Sequence, residues 1–348
     1  MTSSQTNLST AATHLLALKS SDYETRKAAF DAIKDLPPFQ LGQAWQSARA
    51  LEPIHGGELD CLHRVEVVTD ALEFDRAIVT VISPAYEWLL RHLLRSLKRV
   101  GNTVPVVAFC IDESYENMAD WPDLVRVRCH SRERIDASVK GVIYSCARWV
   151  KAAHIISLEA DMLVLESLDP LWAILEQTRS GTLAGCRPQY FPEIQSIQHV
   201  LDRERQKLTP LPWLGDEEFA FNGGLLAGDA RAWEELDTRL RDMAPFSHVF
   251  TEGATRHPFA DEILMNWALS SMSHLELHQG WNVQFYSKKR WEWLTTLPGP
   301  QGREYRCHSH PAKVLHFVGP SRTGEDNLLD VFLREIEENT LPASPPAS

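Results

Sequence analysis

Two carboxylates, Glu159 and Asp161, stand one residue apart at the end of an apolar segment, His154 to Leu158. The segment predicts a buried strand, and side chains two positions apart on a strand point the same way, so the carboxylates are expected to converge. Paired carboxylate oxygens suit a hard divalent cation such as Mg²⁺ or Mn²⁺, which also takes oxygens from a substrate diphosphate. An ordinary solvated strand end is the alternative interpretation of the same residues.

Apolar segments and helical segments alternate before these carboxylates. Ala77–Ile82 predicts a buried strand, Pro84–Arg99 a helix and Val104–Ile111 a second strand. Residues 124–128 predict another strand, and a further helix precedes residue 153. This alternation predicts an α/β fold with a mostly parallel, doubly wound central sheet.

Polar residues follow several of the predicted strands. Ligands of doubly wound sheets bind beyond the carboxyl ends of the strands. Ser83, Asp112 and the segment from Glu159 to Asp161 all stand at such ends, so we expect them to line one cleft. Ordinary polar loop residues are the alternative.

The composition narrows the class of protein. The 348 residues are 44% hydrophobic, enough for a sizeable core, and the formal net charge of -12 disfavours a nucleic-acid partner, which would require a basic surface. The 6 cysteines include no CxxC pair, which favours reduced thiols and a cytoplasmic location. Residues Met1–Thr10 lack a signal-peptide pattern, and no apolar run is long enough to span a bilayer, so no transmembrane segment is expected.

Three parts are predicted along the chain. Residues 1–60 form an N-terminal helical extension, in which a capping-box pattern predicts a helix that begins at Thr25. Residues 61–340 form the α/β domain, in which Asp326–Glu338 predicts a terminal amphipathic helix. Residues 341–348 form a flexible tail.

Four further segments follow the acidic triplet in a fixed order. They are Phe221-Asn222-Gly223-Gly224, Asp261-Glu262-Ile263-Leu264-Met265-Asn266, Gly280-Trp281-Asn282-Val283 and Val314-Leu315-His316-Phe317-Val318-Gly319. With the triplet, this set resembles the glycogenin-like retaining glycosyltransferases, which include bacterial lipopolysaccharide galactosyltransferases. The resemblance covers roughly residues 75–325 and implies a GT-A fold, in which a nucleotide-binding α/β sheet continues into a smaller acceptor region.

The resemblance implies a metal site. Glu159 and Asp161 match the family's two acidic ligands, and His316 matches the histidine that completes the set, which suits Mn²⁺ or Mg²⁺. Glu159 replaces the family's aspartate, so its longer side chain changes the reach of this ligand. Without the surrounding motif, His316 would be interpreted as a core histidine bonded to a neighbouring carbonyl.

The resemblance also implies the residues that bind the donor. Ser83 and Tyr86 are the candidates for the nucleotide base and ribose, although Tyr86 could equally serve helix packing. Arg322 and Lys140 are the candidates for the diphosphate. The remaining substrate-binding candidates are Gly223 and Gly319.

Three residues are candidates for the chemistry at the sugar. Asn222, Asp261 and Glu262 are expected to orient the donor sugar or stabilise its charge. Glu262 stands where the family has glutamine, and a carboxylate there could stabilise an oxocarbenium-like state or attack it. A surface acid on a helix is the alternative for Glu262.

The predicted function is the metal-dependent transfer of a hexose, with retention, from a nucleotide diphosphate sugar to a hydroxyl acceptor. UDP is the favoured nucleotide, whereas the sugar, the acceptor and the oligomeric state are not indicated. A nucleotidyltransferase would require a glycine-rich loop that Ile82-Ser83-Pro84-Ala85 lacks. A degenerate transferase fold, used for sugar-nucleotide binding or protein interaction, is the non-enzymatic alternative.

Overall fold

The structure is a computed structural model of the 348-residue chain. It describes residues 3–17, 23–33, 44, 65–131, 140–187, 221–243, 265–266, 268–269, 272–285, 294–299, 302–318 and 329–334.

The helices of the described residues lie mostly in the first two thirds of the chain. They are α1 (Ser3–Ala17), α2 (Tyr23–Ile33), α3 (Glu87–Arg99), α4 (Ser114–Asn117), α5 (Gly141–Tyr144), α6 (Asp169–Gln177) and α7 (Ala230–Met243). Short 3-10 helices cover Pro84–Tyr86, Cys146–Arg148 and Gln279–Trp281.

The strands extend over the chain from residue 65 onward. They are β1 (Val65–Val68), β2 (Leu72–Ile82), β3 (Val106–Ile111), β4 (Leu124–Ser131), β5 (Val150–Leu158), β6 (Met162–Val164), β7 (Thr182–Gly185), β8 (Leu225–Asp229), β9 (Ser273–Glu276), β10 (Val283–Phe285), β11 (Leu294–Gly299), β12 (Gly302–Cys307), β13 (His310–Pro311) and β14 (Val314–Phe317).

The central sheet has the strand order β1-β4-β3-β2-β5-β8-β7-β9. Its middle strands β4, β3, β2 and β5 pair in parallel. β1 pairs antiparallel with β4, and β8 pairs antiparallel with both β5 and β7. The predicted α/β fold with a mainly parallel central sheet is confirmed. Strand β2 begins at Leu72 rather than at Ala77, because the polar residues before Ala77 still pair with β5.

Successive side chains of β2 point to opposite faces of this sheet, as the pleat requires. Ala77 and Val79 join a core with apolar residues of α1, α2, α5 and α7. Ile78 and Ile82 join a second core with residues of α3 and α6. Helices therefore cover both faces of the sheet. The middle of the sheet is apolar for this reason, and polar groups are expected at the strand ends.

Two smaller sheets follow the central one. β14 lies between β10, with which it pairs in parallel, and β6, with which it pairs antiparallel. β11, β12 and β13 form an antiparallel sheet. Residues 329–334 are helical, and Leu329 and Phe332 are buried, in agreement with the predicted terminal helix. No helix in the described part of the chain is long and apolar enough to cross a membrane.

The N-terminal helices share the core of the sheet. Ala12 and Leu15 of α1 and Ile33 of α2 are fully buried, and they belong to the same apolar cluster as Val79. The domain boundary near residue 60 remains a prediction. The apolar core contains residues from both sides of it.

We expect deletion of Met1–His55 to lower the free energy of unfolding by about 3 kcal/mol or more, because Leu15 and Ile33 each contribute about 1.5–3 kcal/mol by burial. Urea denaturation measures this effect. The matched control is deletion of residues 342–348, which should leave the midpoint unchanged. A wild-type midpoint after the first deletion would show that the helices are a separable extension.

Candidate metal and donor site

The carboxyl ends of three parallel strands lie level with one another. The register pairs Ile82 of β2 with Cys110 of β3, and Val79 of β2 with Ser157 of β5. The residues that follow these strands therefore share one edge of the sheet. This edge is where ligands of doubly wound sheets bind.

A turn after β5 brings the two carboxylates together. The backbone N–H of Met162 donates to the carbonyl of Glu159 at 3.2 Å, and the N–H of Phe317 donates to the carbonyl of Asp161 at 3.0 Å. Glu159 and Asp161 converge as predicted, but a turn produces the convergence and not the alternation of a strand. The reason is that β5 ends at Leu158, so the chain is already turning towards β6.

His316 completes a cluster with these carboxylates. Its strand β14 pairs with β6, which places His316 opposite Met162. The His316 Nε2 atom lies 3.2 Å from Glu159 Oε2 and 3.4 Å from Asp161 Oδ1. One ligand atom from each of the three residues lies within 4.8 Å of the other two, so the cluster could hold a metal ion.

The charged groups in and beside the cluster shift one another's pKa values. Burial disfavours the imidazolium of His316, but Asp161 and Glu159 outweigh this effect and raise the pKa of His316 to about 9. Burial also disfavours the carboxylate of Glu159, but Lys140 and His316 outweigh it and hold the pKa of Glu159 below its ordinary value. A divalent cation would compete with the proton on His316 Nε2, because a histidine ligand must be deprotonated.

The donor set fits a hard or borderline divalent cation. Two carboxylates and one imidazole supply the oxygen and nitrogen ligands that Mn²⁺ accepts, and Mg²⁺ accepts the carboxylates. Asp161 and His316 are buried, whereas the side chain of Glu159 is 20% exposed and that of Lys140 is 38% exposed. The cluster is therefore open to solvent on the side of Glu159 and Lys140.

Lys140 lies in direct contact with the cluster. Its Nζ atom is 2.6 Å from Glu159 Oε1. The second oxygen of the same carboxylate faces His316, so Glu159 bridges an ammonium group and an imidazole. The extra methylene of glutamate, compared with aspartate, extends the carboxylate to both partners.

The glycines before β8 allow close packing against the cluster. A Cβ atom on Gly224 would lie 2.6 Å from His316 Nδ1 and 2.7 Å from Met162 Cε, and a Cβ on Gly223 would lie 2.6 Å from the hydroxyl of Tyr144. Real Cβ contacts are longer than this, so side chains at either position would displace their neighbours. The predicted site residue Gly223 thus lies against Tyr144. No sequence motif had indicated Tyr144 as a residue of this site.

The first strand-to-helix turn contains Ser83 and Tyr86. The backbone N–H of Tyr86 donates to the carbonyl of Ser83 at 2.9 Å, and Tyr86, the residue before α3, is 44% exposed. Part of the surface of Tyr86 therefore faces solvent just after β2. Asp112 has a left-handed φ of 50° and its carboxylate accepts from the N–H of Ser131 at 2.9 Å, so it stabilises the turn after β3.

Four predicted site residues lie outside the described residues. They are Asp261, Glu262, Gly319 and Arg322.

Two asparagines have structural roles that the sequence did not reveal. Asn266 accepts from the N–H of Phe221 at 2.6 Å and donates to its carbonyl at 2.7 Å, so one amide holds both backbone groups of that residue. Asn282 contacts His316 at 3.1 Å and Asn222 at 2.8 Å. Both asparagines stand in the segments that carry the family resemblance, and only that resemblance could have identified them from the sequence.

Among the similar solved structures are two of the galactosyltransferase LgtC. One, in complex with donor and acceptor sugar analogs, is 13% identical to this chain, with 78% of this chain and 98% of LgtC covered and a TM-score of 0.51. The other, an active-site mutant, is 12% identical, with 77% and 98% covered and a TM-score of 0.52. No protein-family model matches the chain. No curated protein sequence matches it either.

The similarity to the first LgtC structure extends over nearly the whole length of that chain. The protein therefore has the GT-A-type fold of the glycosyltransferases, as the sequence resemblance implied.

Proposed function

We propose that this protein is a glycosyltransferase that moves a hexose from a nucleotide diphosphate sugar, with UDP as the favoured nucleotide, to a hydroxyl acceptor with retention. The observation that supports the proposal most directly is the cluster of Glu159, Asp161 and His316 at the carboxyl edge of the parallel strands. A GT-A-type fold with an acidic cluster at this edge suits the binding of a sugar diphosphate and a cation together.

Glu159, Asp161 and His316 would hold a Mn²⁺ or Mg²⁺ ion in this proposal. The ion would neutralise charge on the diphosphate as it leaves. Lys140, already beside Glu159 at the open side of the cluster, would bind a diphosphate oxygen, and Arg322 would bind a second one.

The sugar and the nucleotide would occupy the rest of this edge. Tyr86 and Ser83 would hold the base and ribose, and Gly223 and Gly319 would allow the backbone to approach the donor. During transfer, the bond between the anomeric carbon and the diphosphate oxygen breaks and the diphosphate leaves with the electron pair. The acceptor oxygen bonds to the carbon on the same face and its proton passes to the leaving diphosphate.

Asp261, Glu262 and Asn222 would orient the sugar or stabilise its positive charge. For Glu262 we favour charge stabilisation over nucleophilic attack, because the resemblance implies chemistry that proceeds with glutamine at this position. The second LgtC structure is an active-site mutant in which glutamate replaces glutamine. The same replacement would be the natural state of this chain at Glu262.

A cytoplasmic location is part of the proposal. It is supported by the described cysteines Cys110, Cys129, Cys146, Cys186 and Cys307, which are all buried and not in disulfide bonds.

Calorimetry with UDP, with and without Mn²⁺, tests the binding part of the proposal. A screen of UDP-sugars for hydrolysis then tests turnover. We expect UDP to bind only weakly without the cation and at least one UDP-hexose to be hydrolysed in its presence. Binding without any hydrolysis would favour the degenerate, non-enzymatic alternative. No binding of any nucleotide diphosphate with Mn²⁺ present would overturn the proposal.

A further inference from the structure

A chain of hydrogen bonds runs from the backbone before β8 to the candidate metal ligand. Gly224 N–H donates to Asn222 Oδ1 at 3.0 Å, and Asn282 Nδ2 donates to the same oxygen at 2.8 Å. Asn282 Oδ1 then lies 3.1 Å from His316 Nδ1. Asn222, Asn282 and His316 are all buried, so water does not compete for these contacts.

The donor and acceptor of each of these hydrogen bonds follow from the first one, which Gly224 N–H donates to Asn222. A backbone N–H can only donate, so the Asn222 atom that faces Gly224 must be the carbonyl oxygen. That oxygen can only accept, so Asn282 must present its amide nitrogen to it and its own oxygen to the imidazole. Nδ1 of His316 must therefore carry a proton, which it donates to Asn282.

The other ring nitrogen is thereby reserved for the acidic cluster. His316 Nε2 faces Glu159 Oε2 at 3.2 Å and Asp161 Oδ1 at 3.4 Å. A metal-binding histidine usually donates its second N–H to an oxygen, which fixes the ring and makes the ligand more basic. The side-chain oxygen of Asn282 occupies the position of such a partner.

The backbone of Asn282 is held in place by a crowded turn. Its N–H donates to the carbonyl of Gln279 at 3.1 Å, and Lys313 N–H donates to the carbonyl of Gly280 at 2.7 Å. A Cβ atom on Gly280 would overlap the carbonyl oxygen of Pro311, so this segment packs directly against the chain that leads into β14. These contacts fix the backbone of Asn282 beside the strand that carries His316.

We propose that Asn282 is the positioning residue of His316: it accepts the Nδ1 proton and so turns Nε2 towards Glu159 and Asp161. Asn222 acts one step further out, since its oxygen orients the amide of Asn282. The inference rests on the proposed function for its metal, but the hydrogen bond itself exists without one.

The first measurement is ¹⁵N NMR of the metal-free protein. The wild type should show a His316 Nδ1–H that exchanges slowly with water, and Asn282→Ala should lose that protection. The second measurement is Mn²⁺ affinity by calorimetry, which should fall by about 10–100-fold in Asn282→Ala, the usual effect of losing such a partner.

Gln284→Ala is the matched control. Gln284 is also a buried amide, on β10 in register with His316, but it donates to the carbonyl of Arg187 and not to the imidazole. It should keep both the protected Nδ1–H and the Mn²⁺ affinity. Equal losses in the two variants would assign Asn282 a merely structural role.

The hydrogen bond to His316 and the metal site can be tested separately. A wild-type His316 without a slowly exchanging Nδ1–H would overturn the inference even if Asn282→Ala does not fold. A wild type that takes up no Mn²⁺ would overturn the proposed metal site, and the NMR result would then decide the inference by itself.

Discussion

Asp161→Asn should reduce the affinity for Mn²⁺ by more than about 100-fold, the upper end of what losing an outer partner of a ligand costs. The substitution keeps the shape of the side chain and removes its charge. The carboxylate is buried and faces His316 Nε2 at 3.4 Å, so an amide here presents a far weaker ligand to a cation. Binding of UDP in the presence of Mn²⁺ should fall with it, as calorimetry would measure.

Asp237→Asn is the matched control for this variant. Asp237 is equally buried, but it pairs with Arg148 on the face of the sheet covered by α7. The control should be less stable than the wild type and should bind Mn²⁺ normally. If Asp161→Asn retained the wild-type affinity, Asp161 would not be a metal ligand.

The order of strands and helices could be predicted because it depends on local patterns. The strand that ends at Ile82 and the strand that ends at Leu158 each finish in a mostly apolar run, and such runs indicate strands that are buried on both faces. Since parallel strands end at a common edge, the same patterns predicted that Ser83 and the acidic triplet stand at one edge of the sheet. The prediction of an edge site therefore required no knowledge of tertiary contacts.

Other details of the site depend on pairings between distant parts of the chain. His316 reaches Glu159 because β14 pairs with β6, and only the family resemblance indicated this contact from the sequence. The hydrogen bond between Asn282 and Asn222 was not predicted at all. No spacing in the sequence encodes these contacts. The packing of α1 into the core of the sheet could not be predicted either, because small side chains such as Ala12 give only a weak hydrophobic pattern.

Gly224→Ala should disrupt the site without removing any candidate ligand. A Cβ atom there would lie 2.6 Å from His316 Nδ1 and 2.7 Å from Met162 Cε, so the imidazole must move away from Asn282. We expect a loss of Mn²⁺ affinity of about 10–100-fold or more, comparable to the loss of an orienting partner. Overpacking should also lower the free energy of unfolding by about 1–3 kcal/mol.

Gly228→Ala separates these two effects. Gly228 lies in β8, four residues after Gly224, and a Cβ atom there would lie 3.0 Å from both Ala232 Cβ and Leu183 Cδ1. This second overpacked glycine should therefore reduce stability in urea denaturation but leave Mn²⁺ affinity at the wild-type level, because none of its neighbours contacts His316. Normal Mn²⁺ binding by Gly224→Ala would mean that the ring can move without consequence. In that case neither the exact position of His316 nor its hydrogen bond to Asn282 would control the affinity of the metal site.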